Sequence, residues 1–314
     1  MDKILIIVPH LSTGGMPQFV LKQIETLNKN HDIYLVEWED ITGGLFVVHR
    51  NKIKELLNDN FYSLNNDKLE LFNIIKQINP SVIHFHEIPE TFIGISELDR
   101  IFSNKRDYKI VITTHSSLVD PNNLLFIADR FILVSEWSKD IFNDYFKDKV
   151  SCEIFEYPIE KIKYDKKLAK KRMGWDDNKT HILNVGLFTS GKNQGELFEL
   201  SRIMSDDFIF HFVGNQAINF KEYWEPLLEN IPKNCIIHGE QNDVNKFYEA
   251  ADIFYFTSNY ELNPIVVKES ISHGLPTFIK KLHTYKDMYD GLVTYISNNQ
   301  EENKRELKNT INYV

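Results

Sequence analysis

Three things are scarce in this chain, and each scarcity narrows what it can do. Its 314 residues include only two cysteines, Cys152 and Cys235. They lie far apart without a metal-type spacing, which excludes a disulfide framework and fits a reducing compartment. Positive charge is not in excess: 36 Lys and Arg stand against 45 Asp and Glu, for a formal net charge of -9. A polynucleotide backbone is held by clustered Lys and Arg, so no nucleic-acid partner is expected and an anionic ligand must be met locally. Long apolar runs are also missing. None approaches the ~18 to 20 residues needed to span a bilayer, and Ile4 to Val8, behind Met1-Asp2-Lys3, is too short for a signal-peptide core. A soluble, cytoplasmic protein is expected.

What remains is ample material for packed cores, because 42% of the residues are hydrophobic and 13% aromatic. The apolar runs are short and alternate with helical patterns. ILIIVP, IYLVEW, SVIHFH, KIVITTH and RFILVS read as strands in the first half. HILNVG, FIFHFVG, NCIIHG, DIFYFTS and LPTFI do so in the second. Strands separated by helices imply parallel sheets covered on both faces, hence an α/β fold of two Rossmann-like domains, residues 1–160 and 161–314. Ligands of such sheets bind beyond the carboxyl ends of the strands, which here points to a cleft between the two halves. The charged run from Glu160 to Trp175, with Lys161, Lys163, Lys166, Lys167, Lys170, Lys171 and Arg172, opens the second half. It reads as a solvated helix face, with contact to an anionic lipid surface as the alternative.

The most informative segment is SNYELNPIVVKESISHGLP, Ser258 to Pro276. Asn263 suits an N-cap, Pro264 the first helical position, and Gly274 with Pro276 the end of the helix. Glu261 then lies in the loop facing the helix N-terminus. Glu269 lies inside the helix, ~7 to 8 Å along its axis from Pro264. Two carboxylates bracketing unpaired backbone N–H groups suit a ligand with an anionic centre and hydroxyls on either side, such as a nucleotide sugar.

This segment resembles the glutamate, seven-residue gap, glutamate motif of retaining glycosyltransferases of the GT-B fold, the family called glycosyl transferases group 1. The resemblance implies that Glu261 meets hydroxyls of the donor sugar and that Glu269 meets the ribose. The backbone through Leu262, Asn263, Pro264 and Ile265 would hold the diphosphate. It further implies that the loop from Ser12 to Gly15, with its glycine pair Gly14-Gly15, approaches the donor phosphate, and that His115, in TTHSS, touches the sugar from the first domain. Gly214 and the run Ile236 to Gly239 match strand ends flanking the nucleotide. FILVSEWSKDIF also resembles the family, whereas FEYPIE, Phe155 to Glu160, departs from it. The implied reaction is transfer from a nucleoside-diphosphate sugar, UDP- or GDP-linked, to an acceptor hydroxyl of a glycan, a lipid-linked chain or a small molecule. No tightly bound cofactor or metal is needed where amides and a lysine carry the charge. The acceptor keeps open a site at the inner membrane surface.

Three other motifs compete. GLFTSGKN, Gly186 to Asn193, matches a P-loop except that Asn193 replaces the hydroxyl residue that ligates magnesium. In the resembled family this loop directs an arginine and a lysine at the diphosphate; Lys192 matches the lysine, while Leu187 occupies the arginine position. Gly14 and Gly15 lack the third glycine of a dinucleotide fingerprint, although Glu37 stands where a ribose-binding acid would be. His84, His86 and Glu87 could hold a metal, but no third ligand follows at useful spacing; the resemblance implies an acceptor-side place for His86 alone. A sugar-nucleotide-binding protein with little catalysis, motivated by Leu187, and a P-loop-like NTPase are the alternatives to transfer.

Overall fold

Parallel strands cannot be joined by tight turns, and the helical segments between the apolar runs supply the crossovers they need. The computed structural model describes residues 2–12, 14–40, 47–65, 67–115, 124–147, 150–155 and 157–311. The chain divides into two units, Met1–Glu156 and Tyr157–Val314.

The first unit is built on β1 (Lys3–Val8), β2 (Asp32–Glu37), β3 (Phe61–Ser63), β4 (Val82–His86), β5 (Lys109–Thr113), β6 (Arg130–Leu133) and β7 (Cys152–Ile154). They form one parallel sheet in the order β3-β2-β1-β4-β5-β6-β7. The order reverses between β1 and β4, so a crevice opens there beyond the carboxyl ends of the strands. Helices α1 (Gly15–Leu27), α2 (Val48–Leu57), α3 (Lys68–Ile78), α4 (Ile95–Ile101) and α5 (Glu136–Phe146) connect them. Alternation explains the continuous hydrophobicity of β1: Leu5 and Ile7 join one core with α3 and α4, while Ile6 and Val8 join the opposite core with Val20 and Ile24 of α1.

The second unit repeats the plan. It comprises α6 (Lys166–Met173), β8 (Thr180–Val185), α7 (Gln194–Ile203), β9 (Phe208–Val213), α8 (Lys221–Glu229), β10 (Cys235–Gly239) and α9 (Asn245–Ala250). There follow β11 (Ile253–Phe256), α10 (Ile265–Ser272), β12 (Thr277–Ile279), β13 (Thr294–Tyr295) and α11 (Gln300–Ile311). Its parallel sheet runs β10-β9-β8-β11-β12-β13, with the reversal between β8 and β11. Phe210 and Phe212 of β9 enter one core and Val213 the other.

Three strands, β3, β7 and β13, have no counterpart among the apolar runs. Each is two or three residues long and lies at a sheet edge, where a strand needs neither length nor two apolar faces. The expected cap of α10 is shifted by one residue. Pro264, extended at φ -68° and ψ 116°, occupies the N-cap place, no side chain caps the helix, and Ile265 is its first residue. The stop is where expected, with Gly274 in the left-handed region at φ +69°.

Glu37 has a structural task. Its carboxylate accepts from the Leu11 amide at 3.0 Å, Arg50 Nε at 2.8 Å and Ser63 Oγ at 3.0 Å. A 1% exposed acid so engaged ties β2 to the loop after β1, and has no place for a ribose.

Candidate functional site

At the strand-order reversal of the second unit, two loops from adjacent strands meet. The loop after β8 runs from Gly186 to Asn193, and the loop after β11 from Thr257 to Pro264. They are laced together: Thr257 Oγ1 donates to the Lys192 carbonyl at 3.0 Å, Ser258 Oγ to the Gly191 carbonyl at 3.1 Å, and the Asn259 amide to the same carbonyl at 2.8 Å. This lacing brings Lys192 Nζ onto the Glu261 carboxylate as a charge-assisted pair. The Lys192 ammonium also lies 5.4 Å from the centre of the Phe256 ring. Thr284 Oγ1 donates to the Glu261 carbonyl at 2.5 Å, fixing the backbone on which the carboxylate stands.

The rest of the floor is backbone. Gly186 N–H donates to the Val213 carbonyl at 2.9 Å, and Gly214 N–H to the Gly239 carbonyl at 2.9 Å, so the ends of β8, β9 and β10 form one surface. Gly214 has φ +150°, and a Cβ there would fall 2.0 Å from the Gly186 carbonyl oxygen. Only glycine fits. Gln194, fully buried, donates through Nε2 to the Leu187 carbonyl at 3.0 Å and so holds the first turn of the loop. Asn193 is at φ +54°, and its amide donates to Glu196 Oε2 at 2.7 Å, so it occupies a turn where a P-loop would present a metal-binding hydroxyl.

Along α10, Leu262 and Pro264 are buried while Asn263 and Ile265 are half-buried. The first amides of the helix have no acceptor within it. Glu269 lies on the second turn and accepts from the Tyr248 hydroxyl at 3.0 Å. Burial, reinforced by the Glu269 charge, raises the Tyr248 pKa well above its ordinary value, so the phenol stays a donor to the carboxylate.

In the first unit, Gly14 is at φ +135° and precedes α1, with open space where a Cβ would stand. Gly15 begins the helix. The loop candidate includes Thr13, and the TTHSS segment includes Ser116 and Ser117; these residues lie outside the described ones, as does Glu156 of FEYPIE. His115 follows β5, half-buried, with Nε2 at 2.8 Å from His86 Nδ1. His86 itself is fully buried and engaged at both ring nitrogens, so it reaches a ligand only through His115. Burial pushes His84 down to about 4 and, with the nearby His84, His115 down to about 3. All three imidazoles are therefore neutral at physiological pH.

A second imidazole row crosses the other sheet. His181 Nε2 donates to the Asp176 carbonyl at 2.9 Å, His211 Nε2 to His181 Nδ1 at 2.9 Å, and His238 Nε2 to His211 Nδ1 at 2.9 Å. The Trp175 ring stacks on His211 at 3.8 Å. Burial and the flanking His181 and His238 hold His211 down at about 2.

The structure thus joins Lys192 to Glu261, sets Gly186 against Gly214, and places Glu269 on the same helix that Glu261 precedes. Gln194 and Tyr248 support these groups, and Gln23 of α1 bonds His84 and His86 in the first unit; all three are missed by motif reading. For Gln23 a signal existed: it is a polar residue one turn after Phe19 and next to Ile24, on the apolar side of α1.

Residues 165–314 match the family described as Glycosyl transferases group 1. A processive diacylglycerol alpha-glucosyltransferase of Acholeplasma laidlawii is 20% identical over 224 residues, covering 62% of this chain and 66% of that protein. An alpha-galactosylglucosyldiacylglycerol synthase of Streptococcus pneumoniae is 27% identical over 128 residues, covering 38% of this chain and 33% of the relative. The alignments therefore span less than two thirds of either curated relative. Among solved structures, the Anabaena protein HepE in complex with UDP-glucose superposes with a TM-score of 0.76 at 14% identity, over 99% of this chain and 90% of that one. The chain has the GT-B fold, and its second unit belongs to the glycosyl transferases group 1 family.

Proposed function

We propose that the chain transfers a sugar from a nucleoside-diphosphate sugar to an acceptor hydroxyl with retention of anomeric configuration. The observation that carries this reading is the convergence of Lys192 and Glu261 at the strand-order reversal, directly before the N-terminus of α10. The C1–O bond to the diphosphate breaks with its electron pair passing to the phosphate oxygen. Lys192 and the first amides of α10 stabilise that charge. The acceptor oxygen bonds C1 on the same face, and its proton leaves to the departing phosphate. Glu261 and His115 orient the sugar, Glu269 the ribose, and the Gly14-Gly15 loop approaches the phosphates. The first unit serves the acceptor and the second the donor. HepE is a UDP-glucose complex, which supports a UDP-linked donor first and a GDP-linked one next.

Release of nucleoside diphosphate from a panel of UDP- and GDP-sugars tests this. Glu261→Ala should lower kcat/KM by about 100-fold or more. Lys192→Met should weaken nucleoside-diphosphate binding by about 10- to 100-fold, the worth of one charge-assisted contact. Full activity in Glu261→Ala would remove the assignment. Leu187, where the family carries an arginine, favours a second reading as a donor-binding protein; saturable UDP binding without turnover on any acceptor would select it.

The names of both curated relatives point to a diacylglycerol-derived acceptor, and the chain carries a surface suited to meet one. Among the described residues no helix is long and apolar enough to cross a membrane. On α6, however, Lys167, Leu168, Lys171 and Arg172 are exposed, as are Ile159, Lys161, Ile162 and Lys163 just before it. Lys166 and Lys170 point instead to Asp252. Vesicles containing anionic phospholipid should sediment the protein, and replacing Lys167 and Lys171 with serine should weaken binding about 30-fold at ~1 kcal/mol per charge. Equal sedimentation of the variant would remove the membrane contact.

A further inference from the structure

On the α1 side of β4, two histidines stand where the fold needs only apolar groups. Ile83 and Phe85 of this strand enter the core, while His84 and His86 alternate with them and stack at 4.6 Å between ring centres. One side chain holds both. Gln23 Nε2 is 2.9 Å from His84 Nδ1, and Gln23 Oε1 is 2.9 Å from His86 Nε2.

An amide nitrogen only donates and its oxygen only accepts, so each contact dictates the next. Because Gln23 Nε2 donates to His84 Nδ1, His84 carries its proton on Nε2 and donates to Thr113 Oγ1 at 2.7 Å. Because Gln23 Oε1 accepts, His86 carries its proton on Nε2, leaving His86 Nδ1 as an acceptor. That nitrogen then takes the proton of His115 Nε2 at 2.8 Å. His115 therefore carries no proton on Nδ1. A half-turn of the Gln23 amide would reverse every step and place a proton there instead. The burial that keeps all three rings neutral is what allows a single amide to govern the row, since an imidazolium would donate from both nitrogens. Phe19 packs edge-on against His86 and His115, at 5.6 and 4.8 Å, and fixes the ring planes.

We infer that Gln23 is a positioning residue: acting through His86, it fixes the tautomer of His115, so that Nδ1 faces the substrate as a neutral acceptor for a sugar hydroxyl. The inference rests on the reading above for the sugar contact, while the tautomer itself can be tested without any substrate.

The test uses the full chain labelled with 15N-histidine. Long-range 15N–1H correlation spectra, which separate protonated from bare ring nitrogens, should show His115 neutral with Nε2 protonated and Nδ1 bare. Gln23→Met keeps the length of the side chain and removes both contacts. In it His115 should become a mixture of tautomers, and kcat for sugar transfer should fall about 10-fold with donor KM little changed, as for a lost contact that acts on the reacting sugar. A proton on Nδ1 of His115 in the wild type overturns the inference. So does an unchanged His115 spectrum in Gln23→Met, or an unchanged kcat with a mixed tautomer. If the wild type shows no turnover with any donor, the transfer reading falls, and with it the substrate contact of His115, whereas the spectra still decide what sets its proton.

Discussion

Acidification to pH 5 should remove about 2 kcal/mol of stability for each enclosed neutral histidine, and both units should be affected. His84 in the first unit is lowered to about 4 and His211 in the second to about 2, in both cases chiefly by burial. Unfolding returns each ring to an ordinary value near 6.5, so below that pH the unfolded chain binds more protons than the folded one. The stabilisation is complete above pH 6.5 and is lost as the pH falls toward the folded values. His86, His115, His181 and His238 are lowered in the same direction and extend the effect. Against a total stability of order 5 to 15 kcal/mol, such losses suffice to unfold the protein. Urea melts at pH 8, 6.5 and 5 check this: stability should fall by about 0.4 kcal/mol per ring between the first two, where the unfolded ring is half protonated, and by about 1.6 kcal/mol per ring more to the third. A constant or rising stability toward pH 5 would mean that these rings are hydrated or already charged.

Gly214→Ala should cost about 4 kcal/mol or more, or prevent folding of the second unit. The new Cβ would lie 2.0 Å from the Gly186 carbonyl oxygen, 2.6 Å from its carbon and 3.2 Å from the Leu187 nitrogen. All three are backbone atoms, held by the hydrogen bonds that close the ends of β8, β9 and β10, so no side chain can swing aside. The backbone conformation at φ +150° adds strain of its own. Gly186→Ala supplies the contrast, because its nearest neighbours would be the Lys192 stem at 3.7 Å, ordinary contact for a methyl group. That change should shift the denaturant midpoint little. Equal midpoints for the two variants would show that the strand ends are not locked together.

The fold was legible because buried parallel strands must be apolar on both faces and the helices between them must be long enough to cross over. The edge strands escaped because an edge relaxes both demands. At the site, Glu261 and Glu269 were visible through their spacing around a helix start. Lys192 was visible through GLFTSGKN, but its pairing with Glu261 was not, because the two are 69 residues apart and only the sheet order makes β8 and β11 neighbours; Tyr248, the partner of Glu269, carried no motif at all. Glu37 illustrates the opposite error, since its place at the end of β2 suits a ribose, whereas Arg50 and Ser63 approach it from elements that local sequence cannot connect. Asn263 matched the preferred composition of a cap, yet the restricted backbone of Pro264 took that place.

The embrace of Lys192 and Glu261 has one last consequence. An ammonium whose charge is already balanced by an internal carboxylate does not wait bare in water, so an arriving anion must take over a partner that is already committed. In the proposed transfer the same displacement would free the carboxylate to accept hydrogen bonds from sugar hydroxyls. Capture of the donor's anionic group at Lys192 and release of Glu261 would there be one exchange of counter-ions.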